Sequence, residues 1–90
     1  MLGRPIASSG FYSRGLLLPN GTELRARYKG FKHFAKIEND QWIDGNGSTQ
    51  SSPSAAANSI TGTTVNGWRF WEAKRPGDSG WRRLDVLNAK

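Results

Sequence analysis

Between Thr22 and Lys29 the chain alternates. Leu24, Ala26 and Tyr28 fall on one side, and Glu23, Arg25, Arg27 and Lys29 on the other. That period of two marks a half-buried strand. Gly30 interrupts it, and it resumes from Phe31 with His33, Ala35 and Ile37 on one side and Lys32, Phe34 and Lys36 on the other. Asn39-Asp40 predicts a turn, Gln41-Trp42-Ile43 a third short strand, and Asp44-Gly45-Asn46-Gly47 another turn. The pattern predicts an antiparallel meander over 22–29, 32–38 and 41–43, with room for a fourth short strand near Ser48–Gln50. Upstream, Leu16-Leu17-Leu18 is an apolar run closed by the turn Pro19-Asn20-Gly21. Residues 1–14 carry Gly3, Pro5, Ser8, Ser9 and Gly10 and read as a weakly ordered lead-in. A single domain over 15–90 remains.

The period changes after Ser51. Ser52 is a suitable N-cap, Pro53 suits the first helical position, and Ala55, Ala56 and Ala57 favour helix. Ile60 can share a buried stripe with Ala56 and Ala57, and Gly62 suits a left-handed C-terminal residue. The prediction is a helix over Pro53–Thr61, too short to stand alone and therefore packed on the sheet. Asn66-Gly67 reads as a turn. Trp68–Ala73 then reads as a strand with Trp68, Phe70 and Glu72 on one face and Arg69, Trp71 and Ala73 on the other. After the loop Pro76–Gly80, Trp81–Leu84 returns as its hairpin partner, and Leu84 and Leu87 also permit a helical turn at the end. The expected class is α+β: a small antiparallel sheet, formed by the meander and a C-terminal hairpin, with one short helix packed on it.

Charge turns this scaffold toward a polyanion. The 90 residues carry 13 Lys and Arg against 7 Asp and Glu, a net charge of +6. A strongly basic domain has the electrostatic footprint of a nucleic-acid binder, although an acidic membrane surface fits the charge equally well. No apolar run approaches the roughly 20 residues of a membrane span, and the N-terminus lacks the pattern of a signal peptide. The absence of cysteine excludes disulfides and thiolate metal sites, and suits a cytoplasmic location.

Catalytic constellations are missing from the pattern. His33 is the sole histidine and falls on the apolar side of its strand, which favours a hydrogen-bonded core role. Nothing pairs the carboxylates for acid–base work, and Gly45-Asn46-Gly47 lacks the Lys-Ser/Thr of a phosphate loop. The expectation is a non-enzymatic domain without metal or cofactor. The four tryptophans are in the main core material, with two or three buried and an unburied one available for stacking.

The segment SPSAAANSITGTTVNGWRFWEAK, preceded by LLLPNGTELRARYKGFKHFAKIEND, resembles the domain family of unknown function DUF4357 and the related RAMA domain, named for restriction enzymes and adenine methylases. The resemblance rests on Tyr-Lys-Gly at 28–30, Ser-Pro-Ser with its Ala-Ala run, Thr-Gly, and Asn-Gly-Trp followed by a second aromatic, over about residues 15–74. One departure is Ser48-Thr49-Gln50, where family members often carry an acidic or aromatic residue. The resemblance implies a DNA-binding accessory module attached to nucleases or methyltransferases in a restriction or defence setting, sensing modified or distorted duplex. The alternative is a protein–protein module docking an acidic surface of a nuclease or phage protein.

The candidate DNA contacts follow from both readings. Arg25, Arg27, Lys29, Lys32 and Lys36 form a basic ribbon if the two strands share an outer face. Ser52 and Ser54 open the helix, whose free N–H groups suit a phosphate. Asn66, Lys74, Arg75 and Arg82 flank the aromatic hairpin. Strand alternation pairs Arg69 with an exposed Trp71 as a discriminating surface, with Trp68 and Trp71 buried to different degrees. The domain is expected to be a monomer with DNA as its partner and no membrane association.

Overall fold

A computed structural model describes residues 10–88. In chain order the elements are β1 (Phe11–Ser13), β2 (Leu16–Leu18), β3 (Glu23–Tyr28), β4 (Phe31–Glu38), β5 (Gln41–Asp44), β6 (Thr49–Gln50), α1 (Pro53–Thr61), α2 (Gly67–Phe70), β7 (Glu72–Lys74), β8 (Arg82–Arg83) and α3 (Leu84–Leu87). The main sheet is antiparallel, in the order β6-β5-β4-β3-β7-β8, and β1 and β2 form a separate hairpin. The fold is α+β, as the pattern predicts.

The meander is built by tight hairpins. Lys29 and Gly30 join β3 to β4 with φ of 52° and 85°, the paired positive values of a two-residue turn whose twist matches the strands. Asn39 and Asp40 do the same between β4 and β5 at 54° and 64°. The Asp40 backbone N–H donates to Asn20 Oδ1 at 2.8 Å, and Asp40 Oδ1 accepts from the Gly10 N–H and from Asn20 Nδ2. This ties the β1–β2 hairpin to the meander. The lead-in expected over 1–14 therefore needs correction at its end: Phe11–Ser13 is a strand, and Phe11 is core. The rest of that lead-in, 1–9, lies outside the described residues.

Register puts the apolar residues of β3 to β5 on one face. Leu24 lies opposite Ala35, and Ile37 opposite Trp42. All are buried, together with Ala56 and Ala57 of α1, which cover that inner face. The helix matches its signals. Ser52 Oγ accepts from the Ala55 N–H at 3.0 Å, Pro53 begins the first turn, and Gly62 ends it at φ 77°. Ile60 is only partly buried beside the core.

The strand expected at 68–73 is a correction. Gly67–Phe70 is a helical turn, and only Glu72–Lys74 is strand. Asn66 caps the turn, its Oδ1 accepting from the Trp68 N–H at 3.0 Å. Gly67 then lies directly against α1: its N–H donates to Ser54 Oγ at 3.0 Å, and a Cβ on it would collide with the Pro53 carbonyl and the Ser54 nitrogen. That close approach admits only glycine at this position. In the helical turn Trp68 and Trp71 are both buried, at 9% and 0% exposure, against the expectation of one outward-facing ring. Trp71 Nε1 donates to the Pro53 carbonyl at 3.2 Å, and its ring meets Trp42 edge-on at 5.2 Å. Phe11, Trp42, Trp71, Phe70 and Tyr28 form a continuous aromatic line through the core. The C-terminal hairpin is shorter than expected, and α3 takes the helical option at its end.

Candidate nucleic-acid interface

Direct cross-strand partners share a face of a sheet. Arg25 lies opposite Phe34, Arg27 opposite Lys32, and Glu23 opposite Lys36 on the β3–β4 pair. On the other edge of β3, Glu72 lies opposite Arg25, and Arg83 of β8 opposite Glu72. The outer face, turned away from α1, therefore carries these polar side chains. β7 pairs only with the first half of β3, and beyond it the Phe70 ring of α2 meets Tyr28 at the end of β3. Arg69 of α2 is thereby brought to the same place.

The result is a cleft of about 470 Å³ lined by Arg25, Arg27, Lys32, Arg69 and Arg83, with Glu72 as its carboxylate and Ala26 and Phe70 supplying apolar surface. Two of the arginines are held. Arg25 Nε donates to Glu72 Oε1 at 2.8 Å, and its guanidinium carbon lies 4.3 Å from the Trp81 ring centroid. Arg83 Nε donates to Asp85 Oδ1 at 2.6 Å. That hydrogen bond holds the Asp85 carboxyl below its ordinary value, with the nearby Arg69 charge adding a smaller pull, and it raises Arg83. Arg27, Lys32 and Arg69 form no ion pair among the described residues. The cleft thus combines positioned guanidinium groups with cations left to an incoming anion.

The opposite end of the outer face is nearly neutral. Lys36 Nζ is 3.1 Å from Glu38 Oε1, and Glu23 lies across from Lys36. Lys74 lies opposite Glu23 on its other side. Positive charge is therefore concentrated around Lys32 and the arginines.

The structure brings Arg25, Arg27, Lys32 and Arg69 of the expected contacts together. It disperses the others. Lys29 occupies the hairpin turn instead of the strand face. Ser52, Ser54 and Asn66 use their side-chain oxygens to accept backbone N–H groups, and α1 covers the inner face, away from the ribbon. Trp71 is core, so the expected Arg69–Trp71 surface does not exist. Arg75 closes its own loop on Asp78, Nε to Oδ2 at 3.0 Å. Arg82 pairs with the buried Ala73 and so belongs to the inner side, one residue out of register with the cleft.

Two contributors escaped the sequence reading: Arg83 and Trp81. Alternation along Trp81-Arg82-Arg83-Leu84 pairs Trp81 with Arg83, but which pair faces the cleft is set by the pairing of Arg83 with Glu72. With Leu84 fully buried, Trp81 and Arg83 fall together on the other side. His33, expected in the core, is half-buried and lines a cleft on the inner side with Asp44, Gln50, Ser59 and Ile60.

No family model, curated protein or solved structure matches this chain. No described helix is long and apolar enough to cross a membrane.

Proposed function

We propose that this chain is a non-catalytic DNA-binding module whose outer sheet face holds the phosphate backbone. The observation that carries the reading is the convergence of Arg25, Arg27, Lys32, Arg69 and Arg83, drawn from β3, β4, α2 and β8, around one cleft with a single carboxylate. Concentrating like charge costs folding free energy through repulsion, and an anionic ligand offsets it. Arginine suits phosphate because its planar fork donates two parallel hydrogen bonds. The resemblance of the 15–74 segment to DUF4357 and RAMA domains is in keeping with this role, as a cytoplasmic accessory to nucleases or methyltransferases of restriction systems. A monomer suffices, because the cleft is assembled within one chain.

Binding of duplex DNA should fall steeply with salt, because each neutralised phosphate releases condensed counterions. A log–log slope of roughly −3 to −5 is expected for a handful of contacts. Arg27→Ala and Lys32→Ala should each reduce that slope by about 1 and weaken unrelated duplexes alike. Fluorescence anisotropy over a salt series measures both quantities. Absence of binding at about 50 mM salt with tens of micromolar protein would end this reading.

A further inference from the structure

Phe34 is 56% exposed on the outer face of β4. Lys32 and Lys36 lie two residues to either side of it on the same face, and Arg25 lies directly opposite on β3. The exposed Phe31 belongs to the other phase of β4, so Phe34 is the ring on the outer face, at the border between the cations around Lys32 and Arg25 and the paired Lys36. A lone exposed phenyl is ordinary. This one borders a second feature. On its β5 side is a slot of about 350 Å³ lined by Phe34, Lys36, Ile43, Asp44 and the loop residues Gly45 and Gly47. The glycines leave one wall without side chains. Ile43 lies opposite Lys36, which places an aliphatic side chain next to the phenyl.

We infer that Phe34 is a stacking platform for an unpaired nucleobase, with the slot beside it receiving the base and the cationic cleft holding the adjoining phosphates. The inference rests on the DNA-binding reading above. Charge complementarity selects the occupant: the phenyl lies between the slot, with its Ile43 and glycine walls, and a concentration of arginines. Single-stranded nucleic acid presents flat apolar bases on an anionic backbone, and its binding sites combine aromatic platforms with basic grooves. Adjacent strands are about 4.8 Å apart, so Arg25 and Phe34 are close enough to engage one nucleotide. Glu72 and Trp81 already hold Arg25 in place. An intact duplex keeps its bases stacked and offers only the backbone to this face. The ligand is therefore a base that is single-stranded or has left the helix.

The test uses the full chain and three fluorescein-labelled DNAs: a short thymidine single strand, an intact duplex, and that duplex with one central bulged thymidine. At about 50 mM salt, where phosphate contacts are strong, the wild type should bind the single strand or the bulged duplex about ten-fold more tightly than the intact duplex. Preference for the strand alone, the bulge alone, or both identifies the source of the base. Phe34→Ala should abolish the preference and leave intact-duplex affinity unchanged. Phe34→Trp should retain it. Circular-dichroism melts check that both variants fold. A wild type without preference, or a Phe34→Ala variant that weakens every DNA alike or changes none, overturns the stacking role while leaving the DNA-binding reading in place. Absence of binding to all of the DNAs overturns both.

Discussion

Arg25 and Trp81, far apart in sequence, meet with the guanidinium carbon 4.3 Å from the ring centroid. The same guanidinium donates to Glu72 at 2.8 Å. Strand β3, strand β7 and the segment leading into β8 are thus joined through one side chain. The contact positions a charge in the cleft and also closes the C-terminal hairpin on the sheet.

Coupling between Arg25 and Trp81 should therefore be measurable in stability. A double-mutant cycle with Arg25→Ala, Trp81→Ala and the double variant is expected to give about 0.5–1 kcal/mol for a partly exposed cation–π pair. Urea denaturation provides the free energies. Additive substitutions would show that the two groups lie together without stabilising each other.

Trp71 is expected to be structurally necessary. Trp71→Ala should cost about 3–5 kcal/mol, enough to unfold so small a domain. Trp71→Phe retains an aromatic ring but removes the indole donor to the Pro53 carbonyl, which keeps its place in the α1 ladder, at a cost of about 0.5–1.5 kcal/mol for the lost hydrogen bond. Trp68→Ala should also destabilise strongly, since that ring is buried too. Denaturant midpoints followed by circular dichroism compare the variants.

Gly67→Ala separates tertiary packing from helix propensity. Alanine is the better helix former by about 1 kcal/mol, so propensity alone predicts stabilisation. The collision with Pro53 predicts the opposite sign, a loss of about 1–3 kcal/mol. Gly80→Ala is the control: a Cβ there meets nothing within 4 Å, and little change is expected. Thermal melts give the sign directly.

The Arg75–Asp78 loop should respond to acid. The Arg75 side-chain hydrogen bond, followed by its backbone N–H, holds the Asp78 carboxyl below the ordinary 3.8. A depressed carboxylate contributes its stabilisation in full above the ordinary value and loses it as pH falls through the depressed one. Carboxyl carbon shifts should give an Asp78 midpoint below 3.8, and Arg75→Ala should move it upward. An unchanged midpoint in that variant would remove Arg75 as the cause.

The sequence by itself determined the meander and α1, because their signals act over a few residues. Alternation around Leu24, Ala26, Ala35 and Ile37 selected the inner face, and Ser52, Pro53 and Gly62 bounded the helix with its observed ends. The basic ribbon of Arg25, Arg27 and Lys32 was legible for the same reason. Tertiary structure alone decided residues 67–71. Asn66-Gly67-Trp68 is locally compatible with a turn and strand, but docking of Gly67 on Pro53 and the Trp71–Pro53 hydrogen bond impose a helical turn and draw both tryptophans inward. The choice of Arg83 over Arg82 was likewise tertiary. A shift of one residue in strand register exchanges the two faces, and that register depends on pairing Glu72 with Arg83 and on burying Leu84. Those contacts join segments distant along the chain, where local periodicity carries no information about which side will face the cleft.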